Sequence, residues 1–223
     1  LEKGLNLIRS KGYEPVLGKH LYTQFSNGYN YAGTEQERTS DMNWALNDPE
    51  ISAVWTSRGG YGCQHLLQHI KLTGFKKNPK WVIGFSDVTV LHSHLNTMGF
   101  QSIHGMMPVN IPRATPEAKE SLRKALFGEN LSYTIPFDSM NKLGKAKGEL
   151  VGGNLSILYS LFGSESAIDC TDKILFLEDL DEYLYHIDRM MYNLKRNGYF
   201  ENVKGIIVGS MADRSEERRV GKE

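Results

Sequence analysis

Along Lys80-Trp81-Val82-Ile83-Gly84-Phe85-Ser86-Asp87-Val88-Thr89-Val90-Leu91 the hydrophobic period switches from that of a strand to that of a helix. Residues 81–85 are apolar and β-prone and follow Asn78-Pro79, which predicts a short buried strand. Beyond Ser86, Val88, Leu91, Leu95 and Met98 recur at helical steps, and Gly99 stands where a helix C′ glycine belongs. A serine at such a junction has two readings. It can cap the helix by accepting a free N–H. It can also be the nucleophile of an elbow, with its hydroxyl raised above the sheet edge and the next backbone N–H, that of Asp87, turned toward whatever the hydroxyl attacks. The usual elbow has glycine two residues after the serine; here Val88 holds that position. The motif alone leaves both readings open.

A second strand-to-helix junction tips the balance. Residues 51–56 read as a strand that runs into Ser57-Arg58-Gly59-Gly60-Tyr61-Gly62 and then a helix over 63–70. Glycines there let the backbone approach a ligand, and the helix N-terminus favours negative charge. The spacing is neither GxGxxG nor a P-loop, so an oxyanion or carboxylate fits better than a phosphate. Two successive βα loops open on the same carboxyl edge of a parallel sheet, where open α/β sheets hold ligands. That convergence favours a functional Ser86.

The remaining elements follow from punctuation. Residues 1–10 read as a helix and 13–17 as a short strand, with a loop rich in Tyr, Asn and Gly over 20–33. Thr34 and Glu37 have capping-box spacing at the head of a helix that ends at Asp48-Pro49. Thr115-Pro116-Glu117 starts another helix. Residues 100–104, 131–135, 173–177 and 203–208 read as strands, 155–162 and 185–197 as helices, and Gly148 to Val151 as the start of the second domain. The expected organisation is an N-terminal domain over 1–137, a linker over 138–147, a C-terminal domain over 148–212 and a charged tail over 213–223, solvated or foreign to the protein. The chain opens at Leu1 already in helical pattern, where an alternating α/β chain would first have a strand.

Composition excludes several classes. The 26 basic residues balance 26 acidic ones, so no net field attracts nucleic acid or an anionic membrane. No run approaches the roughly 18 apolar residues of a membrane span. Cys63 and Cys170 form no CxxC, and a reducing compartment is the simpler expectation. No cofactor or metal is expected: His65 and His69 have i,i+4 spacing but lack the Glu of HExxH, and Asp179, Asp181 and Glu182 do not match an EF-hand.

Glu178 closes an apolar strand, where a carboxylate needs a partner and can orient a base as third member of a triad. None of the seven histidines (His20, His65, His69, His92, His94, His104, His186) is singled out as that base by position.

Taken together, Ser57-Arg-Gly-Gly-Tyr-Gly62, Gly84-Phe-Ser-Asp-Val-Thr89, Gly152-Gly-Asn-Leu155, Leu175-Phe-Leu-Glu-Asp179 and Ile187-Asp-Arg-Met190 resemble the LD-carboxypeptidases of serine peptidase family S66. The resemblance spans roughly residues 1–211. It implies an α/β fold: a Rossmann-like N-terminal parallel-sheet domain and a smaller, β-rich α+β C-terminal domain, both incomplete here. It implies a bacterial, cytoplasmic enzyme, commonly a homodimer, that removes the terminal D-alanine from L,D-linked murein tetrapeptides in peptidoglycan recycling. Its Ser-Glu-His triad carries over to Ser86 and to Glu178, with Glu182 as the other choice for the acid. The oxyanion hole carries over to the N–H groups of Asp87 and Gly60, and substrate binding to Arg58, Gly59, Tyr61 and Asn154. The family histidine follows the last readable strand in a Gly-His motif, and no residue of this chain matches it. The expectation is therefore a fragment with nucleophile and carboxylate but without the base. The alternatives are a non-catalytic carboxylate-binding module and an S66 peptidase of the microcin-immunity type, which cleaves peptide–nucleotide conjugates.

Overall fold

A computed structural model describes residues 1–212; the tail expected over 213–223 lies outside the described residues. The N-terminal half runs α1 (Glu2–Ser10), a small antiparallel hairpin of β1 (Phe25–Ser26) and β2 (Asn30–Tyr31), α2 (Glu35–Asn47), β3 (Ala53–Trp55), α3 (Cys63–Leu66), α4 (Thr73–Lys77), β4 (Trp81–Gly84), α5 (Thr89–Thr97), β5 (Ile103–His104) and α6 (Pro116–Leu126). Its sheet has the order β3-β4-β5, all parallel. The predicted caps are present: Thr34 and Glu37 close a capping box on α2, and Thr115 accepts the Ala118 N–H at the head of α6. Leu46, Val54, Leu72, Phe75, Val82 and Leu95 form the core between the sheet and its helices.

The C-terminal half alternates β6 (Leu150–Asn154), α7 (Leu155–Ser160), β7 (Ile174–Leu180), α8 (Leu184–Arg196) and β8 (Gly205–Ala212), again a parallel sheet in the order β6-β7-β8. The β-rich α+β character expected for this half is not what its described residues have: strand and helix alternate and every pair is parallel. On β7, Leu175, Leu177 and Asp179 face the interior with strand period, which leaves Phe176 and Glu178 on the other face. Val151, Leu155, Leu158, Leu175, Leu177, Met190 and Leu194 make this half's core.

Helix α5 joins the halves. Thr89, Val90, Leu91, His92, Ser93 and Leu95 are all buried, because the helix packs on its own sheet and also on β6 and α7. Polar side chains stitch the seam: Ser93 Oγ donates to the Ser166 carbonyl, and the His94 ring meets Ser166 Oγ at 2.9 Å.

Three local expectations fail, for reasons of tertiary structure. Residues 13–17 and 131–135 form no strand; Tyr133 and Ile135 alternate as a strand would but stay exposed, with no neighbouring strand to pair with. Helix α4 has no sequence signal, because its cap comes from afar: Asn47 Oδ1 accepts the Gly74 N–H at 2.7 Å. The helix expected over 63–70 tightens after Leu66 into a 3₁₀ turn, Leu67–His69.

Candidate active site

Ser86 stands at the carboxyl end of β4 with φ +62°, in the left-handed region. An L-residue is disfavoured there by about 1–2 kcal/mol, so the surrounding structure holds it in place. Phe85 is extended, Ser86–Val88 form a single 3₁₀ turn, and α5 follows. The departure at Val88 is accommodated from the other side of the serine. A Cβ at Gly84 would come within 2.9 Å of both Val88 methyl carbons, so the glycine that gives the turn its room precedes the serine.

The glycine-rich loop closes on this turn. A Cβ at Gly59 would lie 3.1 Å from Ser86 Cβ and 3.3 Å from its Oγ, so bare backbone borders the hydroxyl. Gly60 and Gly62 have φ of +113° and +114°, which require glycine. Asp87 binds the two loops together: its buried carboxylate accepts the Cys63 N–H at 2.8 Å, at the start of α3. Burial, and then Asp87 itself, push the Cys63 thiol well above its usual range, so it is no rival nucleophile. Arg38, on α2, supports the loop from behind: Nη1 donates to the Gly62 carbonyl at 3.2 Å, the guanidinium lies 4.7 Å from the Tyr31 ring centre, and buried Nε has no hydrogen-bond partner. Arg58, on the same loop, is exposed.

The C-terminal half approaches through Thr89, three residues beyond the serine. Its Oγ1 accepts the Asn154 N–H at 3.1 Å, and a Cβ at Gly153 would lie 2.8 Å from Thr89 Oγ1 and Cγ2. Asn154 is buried and capping: its Oδ1 accepts from Ser156 Oγ and the Ile157 N–H, and its Nδ2 donates to Asp179 Oδ1 at 3.0 Å. Asp179 also accepts the backbone N–H groups of Ser156 and Leu180. The acidic pair thus divides. Asp179 organises the start of α7, while Glu178, in register beside Asn154, keeps a buried Oε1 without a hydrogen-bond partner. Burial first, and then Asp179, raise the Glu178 pKa, against an opposing hydrogen bond from Asn154. Glu182, by contrast, bonds His186 Nδ1.

Phe176, on the Glu178 face of β7, meets the His104 ring edge-on at 5.3 Å. His104 in turn lies 6.0 Å from Phe85 and 6.1 Å from His92. Phe85, His104 and Phe176 therefore form a continuous path between the serine turn and the strand that carries Glu178. Burial and His92 push the His104 pKa down to about 4, although part of the residue stays open to solvent, so the ring is uncharged at neutral pH. His92 is fixed: Nε2 donates to the Gly84 carbonyl at 2.9 Å and Nδ1 faces Ser102 Oγ at 2.8 Å. Arg38, Thr89 and His92 carried no sequence signal, since each acts on partners brought near only by the fold.

Residues 1–105 match the model of the LD-carboxypeptidase N-terminal domain and residues 147–223 that of the C-terminal domain. The chain belongs to the LD-carboxypeptidases, peptidase family S66. The probable murein peptide carboxypeptidase of Bacillus subtilis is 37% identical over 215 residues, covering 93% of this chain and 66% of that one. The murein tetrapeptide carboxypeptidase of Pseudomonas aeruginosa is 31% identical over 227 residues, covering 96% and 72%. A solved structure of the microcin C7 self-immunity protein MccF, known from Escherichia coli, superposes with a TM-score of 0.81 at 26% identity, covering 96% of this chain and 72% of that one. This LD-carboxypeptidase chain thus spans about two thirds of the length of such relatives. Among its described residues no helix is long and apolar enough to cross a membrane.

The raised pKa of Glu178 predicts a pH effect. Because the folded-state pKa of Glu178 is raised above its ordinary 4.5, the folded protein favours the protonated form. Stability is then lost as pH rises above the unfolded value. Glu178→Gln is expected to match the parent near pH 4 and to exceed it at pH 7 by up to about 1 kcal/mol, a figure reduced for the group's partial exposure. Urea melts at the two pH values check this; a variant less stable at pH 7 would contradict it.

Proposed function

We propose that the enzyme represented by this chain is a serine-type LD-carboxypeptidase that releases the terminal D-alanine of L,D-linked murein tetrapeptides. The observation that carries the reading is Ser86: a non-glycine residue with φ +62° at a strand–helix junction, with Gly59 against its hydroxyl. In this mechanism Ser86 Oγ attacks the scissile carbonyl and its proton passes to a histidine. The negative charge that develops on the carbonyl oxygen is met by the N–H groups of Asp87 and Gly60, each donor worth roughly 2.7–4 kcal/mol in such sites. The amine of D-alanine leaves with the proton, and water then hydrolyses the acyl-serine. Glu178 would orient the histidine; its free buried Oε1 favours it over Glu182, which already binds His186. The histidine that the resemblance implies matches no residue of this chain.

A carboxypeptidase must also recognise a terminal carboxylate. Arg58, exposed beside the serine on the glycine loop, is the cation proposed for it. The two free cysteines favour a cytoplasmic, reducing location, and the homodimer of the resemblance remains part of the proposal. Mass spectrometry of an L,D-tetrapeptide after incubation tests the reading: loss of one alanine supports it, while preferential cleavage of an aminoacyl sulfamoyl adenosine would place the enzyme with MccF instead. Arg58→Ala is expected to raise KM about tenfold or more, the scale of a charge-assisted hydrogen bond, with little change in kcat. Amidating the substrate's C-terminus should remove that difference.

A further inference from the structure

Helix α8 turns one face into the core and leaves the other uncovered. Met190 and Leu194 are buried, whereas Tyr185, Asp188, Arg189, Tyr192, Lys195 and Arg196 are exposed. These recur at steps of three and four, so they share one outward stripe about 16 Å long. The stripe reads the same in both directions once the signs of its charges are exchanged. From the midpoint between Asp188 and Arg189, equal steps outward reach Tyr185 on one side and Tyr192 on the other. The next equal steps reach Glu182, just ahead of the helix and bonded to His186, and Lys195. Asp188 has no hydrogen bond or ion pair among the described residues. The Arg189 guanidinium lies 5.4 Å from the Tyr185 ring centre and Lys195 Nζ 5.8 Å from that of Tyr192, while Tyr185 also stacks on Tyr183 at 5.5 Å. Both Tyr185 and Tyr192 are nonetheless 60% exposed. Along the basic half, Arg189, Tyr192, Asn193, Arg196 and Asn197 line a groove of about 360 Å³.

We infer that this stripe docks on the same stripe of a second copy of the chain, the two α8 helices antiparallel about a twofold axis at the midpoint between Asp188 and Arg189. The inference takes up the homodimer proposed above and names its surface; the Ser86 chemistry does not depend on it. In that arrangement each Asp188 faces the other copy's Arg189, each Tyr185 enters the groove beside the other copy's Tyr192, and each acidic end meets a basic one. The charge pattern selects this occupant. A foreign acidic segment would suit Arg189 and Arg196 but press on Asp188, and a foreign basic one would do the reverse. A partner with both signs in reverse order pairs every charge, and α8 is itself such a sequence. The stripe is shorter than a standard interface needs, so the dimer is weak and reversible.

Sedimentation velocity of this chain from about 1 to about 200 µM tests the inference. At low salt a monomer–dimer equilibrium with Kd on the order of 10 µM is expected, weakening several-fold in about 0.5 M salt. Arg189→Asp and Asp188→Arg each set like charges across the axis, so each variant alone should be monomeric. Both should keep the far-UV spectrum and melting temperature of the parent, since the two sites are exposed. Mixed one to one, they should restore the dimer, because the acidic pair of one variant then faces the basic pair of the other. A dimer that survives both reversals overturns this surface and leaves the homodimer standing. Reversals that abolish the dimer with no recovery on mixing overturn the antiparallel pairing. A chain monomeric at every concentration overturns surface and homodimer together, and binding of a poly-glutamate peptide by that monomer would assign the stripe to an acidic partner instead.

Discussion

In an enzyme that also carries the family histidine, Ser86→Ala is expected to lower kcat for tetrapeptide hydrolysis by at least about 10⁴-fold, the usual effect of deleting the nucleophile of a complete triad, with KM nearly unchanged. The fold should survive, because alanine meets the same left-handed backbone that serine already occupies at φ +62°. A companion variant separates chemistry from strain. Ser86→Gly should be equally inactive, yet more stable than the parent by about 1 kcal/mol, since glycine is at ease in that conformation. Kinetics and urea melts of parent, Ala and Gly forms measure both effects. If Ser86→Ala kept its activity, the elbow reading would be wrong. If Ser86→Gly gave no added stability, the turn would not be strained.

What could be read from the residues alone was what is local. The switch in period at Ser86, the glycines over 59–62, the capping box at Thr34 and the cap–proline start at Thr115 each act within a few residues of their own position, and each holds in the fold. The elbow itself looked defective at Val88, because a motif counts spacing and cannot see that Gly84 makes the missing room. Long-range dependence hid the rest. Helix α4 needs Asn47 as its cap, the glycine loop needs Arg38 behind it, and the seam between the halves needs Thr89 to accept from Asn154, 65 residues away. Between Glu178 and Glu182 the sequence already favoured Glu178, which closes the apolar strand. The coordinates add that Glu182 bonds His186 while Glu178 keeps a buried Oε1 without a hydrogen-bond partner.

Consecutive glycines on β6 give the largest expected effect on stability. Gly152 has φ +124°, and a Cβ there would fall on the Phe176 carbonyl oxygen, with the carbonyl carbon at 2.8 Å and the Phe176 nitrogen at 2.9 Å. These are backbone atoms of the central strand β7 and cannot turn aside as a side chain would. Gly152→Ala therefore combines an overpacked contact with a strained backbone, together about 3–4 kcal/mol, a large part of a domain's usual margin. Its neighbour faces a different partner: a methyl at Gly153 would press on Thr89 and the hydrogen bond that joins the halves. Gly153→Ala is accordingly expected to be milder in melting but to disturb the placement of Asn154 and of Glu178 paired beside it. Gly144→Ala, in open space with no special φ, is the control and should be neutral or slightly stabilising. Chemical denaturation of the three variants decides the matter. A Gly152→Ala protein as stable as the control would mean that β6 and β7 do not approach as closely as the register pairing of Asn154 with Glu178 requires.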